Sequence, residues 1–315
     1  MLFYRFPGKQ IQRKSGHFVP CSSSELEGFV LSTFSEGKYW RFIENELSDT
    51  LFLEGSVPCN QTKEEYILKA NQLINAIRSL GLKKVVLSRV SSSTFDADNS
   101  RELFNLLEEK YPNALVYFFS DHELGTWIGA SPEIIFEQHG LYGVTTSLAG
   151  TKKLEDSSDW TEKEKLEQDY VSLFIKETLN QEKIKNLEVH GPYEFNAGPV
   201  KHLKTDFLFE CSQTKGKELL LGLHPTPAVC GLPKDFATEI IDQIEEHDRE
   251  LYTGFIGEFG EVTAKIYVNL RCAKISKGAI HYFLGGGFTK DSIAESEWEE
   301  TENKKKTIAD LLEML

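Results

Sequence analysis

Cysteine is scarce and unpatterned in this chain. Among 315 residues there are five, Cys21, Cys59, Cys211, Cys230 and Cys272, with no CxxC pair and no metal-like spacing to histidine. An odd number without pairs excludes a disulfide framework and fits reduced thiols in a cytoplasmic protein. Long apolar runs are missing as well. The start, MLFYRFPGKQIQRKSG, lacks the apolar core of a secretion signal, and no stretch approaches a membrane span, so no membrane partner is expected. Positive charge is in deficit: 35 Lys and Arg face 49 Asp and Glu, a net charge of −14. That balance excludes a general nucleic-acid surface. Neither a P-loop nor a dinucleotide fingerprint occurs in the right context, and there is no internal repeat or low-complexity tract. The charge deficit sets a condition: an anionic substrate would need local cations or a metal to overcome the overall field.

What is present is ordinary globular material, 40% hydrophobic and 27% charged, long enough for one large domain. GHFVP, EGFVLSTF and KYWRFI read as short strands, with loops at ENELSDT and EGSVPCNQ. Residues 62–81 carry a helical stripe (Tyr66, Ile67, Ala70, Leu73, Ile74, Ile77) that Gly81 should stop. Strands are expected at KKVVLSRV, at ALVYFFS, along 126–151, at GFIGEFG, along TAKIYVNLRCAKIS and at AIHYFLGGG. Helices are expected at RELFNLLEEKY, over 160–183, over 235–252 from the spacing of Phe236, Ile240 and Ile244, and at the C-terminus. Runs mixed without regular βαβ alternation predict an α+β fold with antiparallel sheet.

Several positions could carry chemistry. Glu164 and Glu167 are three apart on one helix, and Glu297 and Glu300 repeat the spacing on the last, with Lys304 one turn beyond Glu300. Two such pairs across a cleft would suit Mg²⁺, which takes oxygen ligands; a solvated helix face explains the same spacing. Gly285, Gly286 and Gly287 could let backbone N–H groups approach an anion, or could simply form a tight turn. Lys84 could be a strand-edge charge or a base, and Glu133 a strand carboxylate or an acid, depending on burial and neighbours. Arg271, alternating with apolar residues, could clamp a carboxylate or pair at the surface. The segment LHPTPAVCGLPKDF, residues 223–236, holds His224 and three prolines in one rigid stretch.

The order of these segments resembles the chorismate-utilising enzymes. KVVLSR, GASPEIIFE, LAGTKK, KEKLEQDYV, LHPTPAVCGLP, RELYTGFIGEFG, VNLRCA, GGGFTKDS and EWEETENKK follow one another as in that family, over residues 65–312. The first sixty residues carry no recognised motif. The resemblance implies an α+β fold of large antiparallel sheets with helices outside, chorismate as substrate and Mg²⁺ as cofactor. A lysine before the VVLSR-like strand, here Lys84, is similar to that of the water-using branches, and Ala228 in HPTPA resembles the isochorismate synthase branch, where others carry threonine. It implies Lys84 as base and Glu133 as acid. It further implies Glu167 and Glu300 as the principal metal carboxylates, with Glu164 and Glu297 in support. Arg271, Lys304 and the backbone of Gly285–Gly287 would hold the substrate's anionic groups, with His202 and Tyr252 in the pocket wall. Gln168 departs from the histidine often found there. The competing branches are salicylate synthase and the anthranilate or aminodeoxychorismate synthases, the latter needing a glutamine amidotransferase that is not expected here. A chorismate-binding regulator is the non-enzymatic alternative. A monomer is expected.

Overall fold

The first sixty residues, silent in motif, open with strands. β1 (Leu2–Arg5) is buried along its whole length, and β2 (Gln12–Lys14), β3 (Gly16–Cys21), β4 (Gly28–Ser32) and β5 (Tyr39–Glu44) follow. The computed structural model describes all residues except 35–36, 47–49, 55–57 and 198–199, together with the side chains of 151, 163, 197 and 200. The loops expected at 44–50 and 54–61 therefore lie partly outside the described residues. α1 (Lys63–Leu80) starts at a Thr62–Glu65 capping box and stops at Gly81, whose φ of 68° is the left-handed conformation glycine adopts without penalty.

Then come β6 (Lys84–Thr94), α2 (Ser100–Lys110), β7 (Leu115–Asp121), β8 (Gly125–Ser131), β9 (Ile134–His139) and β10 (Tyr142–Lys153). α3 (Glu162–Gln181), β11 (Lys185–Ala197), β12 (Val200–Glu210), α4 (Gln213–Leu223), β13 (Gly231–Leu232) and α5 (Lys234–Ile244) form the middle. β14 (Phe255–Phe259), β15 (Thr263–Val268), β16 (Cys272–Ser276), β17 (Ala279–Phe288) and α6 (Ala294–Leu312) complete the chain.

The strands form two sheets, ordered β13-β6-β17-β16-β8-β7-β1-β2 and β11-β12-β10-β9-β15-β14-β4-β5-β3. Every pairing is antiparallel, as the absence of βαβ alternation predicts. Aromatic side chains from both sheets, among them Tyr4, Phe18, Phe29, Tyr117, Phe119 and Trp127, pack between them. A second core joins α3 and α4 to the nine-stranded sheet. The eight-stranded sheet is covered by α2 and α6 at one end and by α1 and α5 at the other. Each fully buried large side chain in such a layer contributes about 1.5–3 kcal/mol.

Three expectations need correction. TAKIYVNLRCAKIS is not one strand: β15 belongs to one sheet and β16 to the other, and Asn269–Arg271 crosses between them. Gly285–Gly287 do not make a turn; they lie inside β17, paired with Ser88, Leu87 and Val86. α5 ends at Ile244, and its buried face is Ala237 and Ile241, while Phe236 is exposed. The sequence reading also passed over α4 and the long β11–β12 hairpin.

Candidate active site

Two of the connections that carry the chain from one sheet to the other meet side by side. One runs through Pro132 and Glu133 between β8 and β9; the second runs through Asn269–Arg271 between β15 and β16. The two are tied side by side. Val268 N–H donates to the Glu133 carbonyl (2.9 Å) and Ala130 N–H to the Arg271 carbonyl (3.1 Å), and the Ser131 hydroxyl donates to the Val268 carbonyl. Buried Asn269 accepts from Tyr117 OH (2.6 Å) and donates to the Leu251 carbonyl (2.9 Å). Topology thus places Glu133 and Arg271 on neighbouring backbone at the seam. Arg271 adopts φ 50° there and reaches Thr307 Oγ1 (3.1 Å) and the Lys304 carbonyl (3.4 Å) on α6. It is neither a strand residue nor a surface ion pair.

Lys84 begins β6, and β17 lies beside it. A Cβ on Gly287 would sit 2.7 Å from Lys84 Cε and 3.2 Å from its Nζ. On the same face a Cβ on Gly285 would meet Tyr252 OH at 2.7 Å; on the other face a Cβ on Gly286 would meet Glu297 Oε2 at 3.2 Å. The three glycines therefore keep a strand bare so that three functional-type side chains can lie on it. β16 pairs with β17 only as far as Phe283, which leaves this stretch with β6 as its one strand neighbour. Lys304 Nζ donates to the Gly285 carbonyl (2.7 Å) and pairs with Glu300 (2.6 Å).

Electrostatics connect these groups. Burial raises the Glu133 carboxyl from 4.5 to about 7, against the opposing pull of Lys84 and Lys304. For Glu300, burial acts upward, but Lys304, Lys84 and Arg271 together outweigh it and hold the carboxyl below its usual range. Burial pushes the Lys304 ammonium down, with Glu300 opposing and Arg271 and Lys84 adding to the fall. Lys84, Glu133, Arg271, Glu300 and Lys304 are thus one coupled cluster. It answers the condition set by a net charge of −14: Arg271 and Lys304 gather at one seam, with the Lys84 amine beside them.

The carboxylates of α3 stand differently. Glu164 Oε2 accepts from the Thr161 backbone N–H (2.6 Å) and hydroxyl (2.5 Å), so this side chain caps its own helix. Glu167 has no hydrogen-bond or ion-pair partner among the described residues. One turn on, Tyr170 receives Lys83 Nζ at 4.3 Å from its ring centroid, which brings this helix to the start of β6. Gln168 is buried and donates to Ser147 Oγ (2.7 Å) and Thr205 Oγ1 (3.0 Å), fastening α3 to β10 and β12. On α6, Glu297 accepts from Ser292 (2.9 Å). Among the described residues no three His, Cys, Asp or Glu side chains make a metal-grade cluster. An uncommitted Glu167 and a Glu300 held through one oxygen are a donor set that suits a hard cation bound by one or two carboxylates together with substrate oxygens.

His202 Nδ1 faces the Gly150 carbonyl at 3.2 Å, where a bulge interrupts the β10–β12 register, and burial lowers its pKa. A pocket brings Glu133, Thr146, Leu148, Phe174, Thr226 and Ala228 together. Nearby, His224 caps α4, puts Nε2 3.0 Å from the Thr33 carbonyl and is depressed by burial to about 4. It is a neutral structural histidine.

The chorismate-binding enzyme family model matches residues 45–313. This chain belongs to that family. The chain is 29% identical over 269 residues to isochorismate synthase EntC of Escherichia coli K12, covering 80% of the chain and 67% of that protein. It is 26% identical to isochorismate synthase MenF of Pasteurella multocida, covering 90% and 68%. It thus spans about two thirds of the length of these relatives. Among solved structures, the 2,3-dihydroxybenzoate-specific isochorismate synthase DhbC of Bacillus anthracis, so described as putative, superposes with a TM-score of 0.79 at 25% identity over 100% of this chain and 96% of that one. Anthranilate synthase component I of Streptococcus pneumoniae shares the fold at a TM-score of 0.71 and 18% identity, over 97% and 89%.

Sequence reasoning missed three groups that build the site. Arg89, last of VVLSR, is buried and bonds Thr301 Oγ1 (2.7 Å) and Glu302 while lying 3.8 Å over Trp298; it latches α6 to β6. Glu245 and Arg249 form a buried pair beside β6. Tyr66 lies on the far face of β17 from Lys84. Arg89 and Arg249 sat inside quoted motifs, and a charged residue in an apolar run was the available signal.

Proposed function

We propose that this chain is an isochorismate synthase, converting chorismate to isochorismate by adding water at C2 and expelling the C4 hydroxyl. The observation that carries the reading is the convergence at one seam of Glu133, which lines a pocket with Ala228, Lys84 against Gly287, and Lys304 bonded to the Gly285 carbonyl; burial there pushes the Glu133 carboxyl up to about 7. A carboxyl so placed keeps a proton to give near neutrality. Lys84, with room made by Gly287, accepts the proton of the attacking water. The water oxygen bonds to C2, the ring double bond shifts, and the C4–O bond breaks as Glu133 protonates the leaving oxygen. One water is consumed and one released, and the two side chains exchange their protonation states. Arg271 and Lys304 bind carboxylate groups, the bare strand at Gly285–Gly287 admits the ring closely, and Tyr252, His202 and Ala228 shape the wall. Mg²⁺ held by Glu167 and Glu300, with Glu164 and Glu297 alongside, would supply positive charge for the substrate's carboxylates. The alanine at 228 favours this branch over the salicylate-forming one, since a methyl leaves space beside Glu133 that a threonine would fill.

Incubation with chorismate and Mg²⁺ should give isochorismate; salicylate with pyruvate, or aminated product with ammonia, would overturn the assignment. Lys84→Ala should lower kcat by at least about 10³-fold while substrate binding persists. An undiminished rate would remove Lys84 from its role. Ala228→Thr should raise the salicylate fraction of the product.

A further inference from the structure

The nine-stranded sheet grips α3 along one face. Gln168 bonds Ser147 and Thr205, and Val171, Ile175 and Leu179 are buried in the core beneath. The first turn is seated at Gly150, where a Cβ would lie 3.1 Å from the Glu164 carbonyl oxygen. A helix turns about 100° per residue, so Tyr170 points about 200° round from Gln168, off that sheet, and Glu167 lies within about 60° of Tyr170. Phe174, one turn further along the same stripe, lines the pocket with Glu133 and Ala228. Glu167, Tyr170 and Phe174 therefore form the face of α3 that looks across the cleft. Lys83 comes from the other sheet. Its backbone N–H donates to the Leu232 carbonyl of β13 (3.0 Å), and it immediately precedes Lys84 at the start of β6. Its ammonium lies 4.3 Å from the Tyr170 ring centroid, within the range at which the ring quadrupole attracts a cation. The contact thus runs from the eight-stranded sheet to a helix of the nine-stranded one, one turn from Glu167 and one residue from Lys84.

We propose that Lys83 and Tyr170 are positioning residues: their contact ties α3 to the start of β6 across the cleft and so sets Glu167 relative to Glu300. Glu300 belongs to the eight-stranded side, since its partner Lys304 donates to the Gly285 carbonyl in β17. The two carboxylates therefore stand on helices carried by different sheets, and the lysine–tyrosine contact joins the two parts beside them. The inference rests on the reading, given above, that Glu167 and Glu300 hold Mg²⁺. It also gives the first lysine of KKVVLSR a task distinct from proton transfer, because its charge is directed at a ring on α3.

The test compares variants that abolish the contact, Lys83→Met and Tyr170→Leu, with variants that keep a cation over a ring, Lys83→Arg and Tyr170→Phe. Mn²⁺ is titrated by electron paramagnetic resonance into each protein saturated with the equilibrated chorismate–isochorismate mixture, and the metal-free thermal midpoint is measured alongside. Lys83→Met and Tyr170→Leu should each weaken the Mn²⁺ Kd by about 2–5-fold, the worth of an exposed cation–ring contact. Lys83→Arg and Tyr170→Phe should keep the wild-type Kd, and all midpoints should stay together. Because the two side chains act as one contact, the double variant Lys83→Met/Tyr170→Leu should bind no more weakly than the poorer single variant. An unchanged Kd in Lys83→Met, a loss in Tyr170→Phe equal to that in Tyr170→Leu, or losses that add in the double variant would overturn the positioning role while leaving the metal reading intact. If wild type itself binds no Mn²⁺, the metal reading falls, and this inference with it.

Discussion

At Glu133, burial and charge pull in opposite directions and burial prevails, which ties activity to stability. The ordinary carboxyl value is 4.5 and the folded value about 7. Between them the folded protein keeps a proton that the unfolded chain has released, so stability falls as pH rises through this window and the cost is complete above 7. Glu133→Gln should therefore stabilise the protein at pH 8 by on the order of 2–3 kcal/mol and have little effect at pH 4, as read by urea unfolding at the two pH values. The same variant should lose most of its turnover. In wild type, the rate should fall above pH 7 as the acid form is depleted. At Gly287 the constraint is steric. Gly287→Ala puts a methyl 2.7 Å from Lys84 Cε, and displacing a base by even about 1 Å costs roughly 10²-fold. Steady-state kinetics should show this in kcat more than in KM.

Among the elements, β6 shows how a strand is held where a neighbour is lacking. β13 pairs only with Lys84 and Val85. Beyond it, Cys230 O accepts from Val86 N–H (2.8 Å), Arg249 donates to the Val86 carbonyl (3.0 Å), and Glu245 accepts from Ser88 N–H (2.6 Å). Arg249 also donates to the Val229 carbonyl (2.9 Å), next to Ala228. A buried ion pair thus substitutes for a strand and joins the lysine's strand to the loop that carries Ala228. Arg249→Leu strands a buried carboxylate and should cost about 3–5 kcal/mol, measurable by denaturant unfolding. Arg89 performs the corresponding task for α6. Arg89→Met should accelerate hydrogen exchange along Ala294–Leu312, with a stability loss of about 2 kcal/mol, because Thr301 and Glu302 lose their donor.

For the molecule as a whole, the deciding feature is the seam. Both sheets contribute to the site because two connections, at Glu133 and at Asn269–Arg271, cross between them and are hydrogen-bonded to each other. Asn269 locks this arrangement by joining Tyr117 on one strand to the Leu251 carbonyl. Asn269→Ala would remove the acceptor of the buried Tyr117 hydroxyl and one of two donors to the Leu251 carbonyl, which keeps the Gly254 N–H at 3.2 Å. It should destabilise by about 2–4 kcal/mol and lower kcat, with the thermal midpoint and the rate falling together. Among the described residues no helix is long and apolar enough to cross a membrane.

Local patterns were legible before any coordinates. Period and capping set α1, whose stripe and Gly81 stop are where the sequence puts them, and the absence of βαβ alternation already implied antiparallel sheets. Residue types in sequence order were sufficient to indicate the family. The break at Asn269–Arg271 was not legible, because an apolar–polar alternation continues through it and only partner strands in different sheets end the strand. The glycines were ambiguous for a similar reason: a bare strand and a turn look alike until Lys84, Tyr252 and Glu297 are seen lying against it. Glu164 resembled a metal carboxylate by spacing, and a capping box by the same spacing from Thr161, to which two of its bonds go. Helix and strand identity follow from forces within about four residues along the chain. Charge state, clearance and the meeting of Glu133 with Lys84 depend on desolvation and on neighbours far apart in sequence, and these exist only once the two sheets have closed on each other.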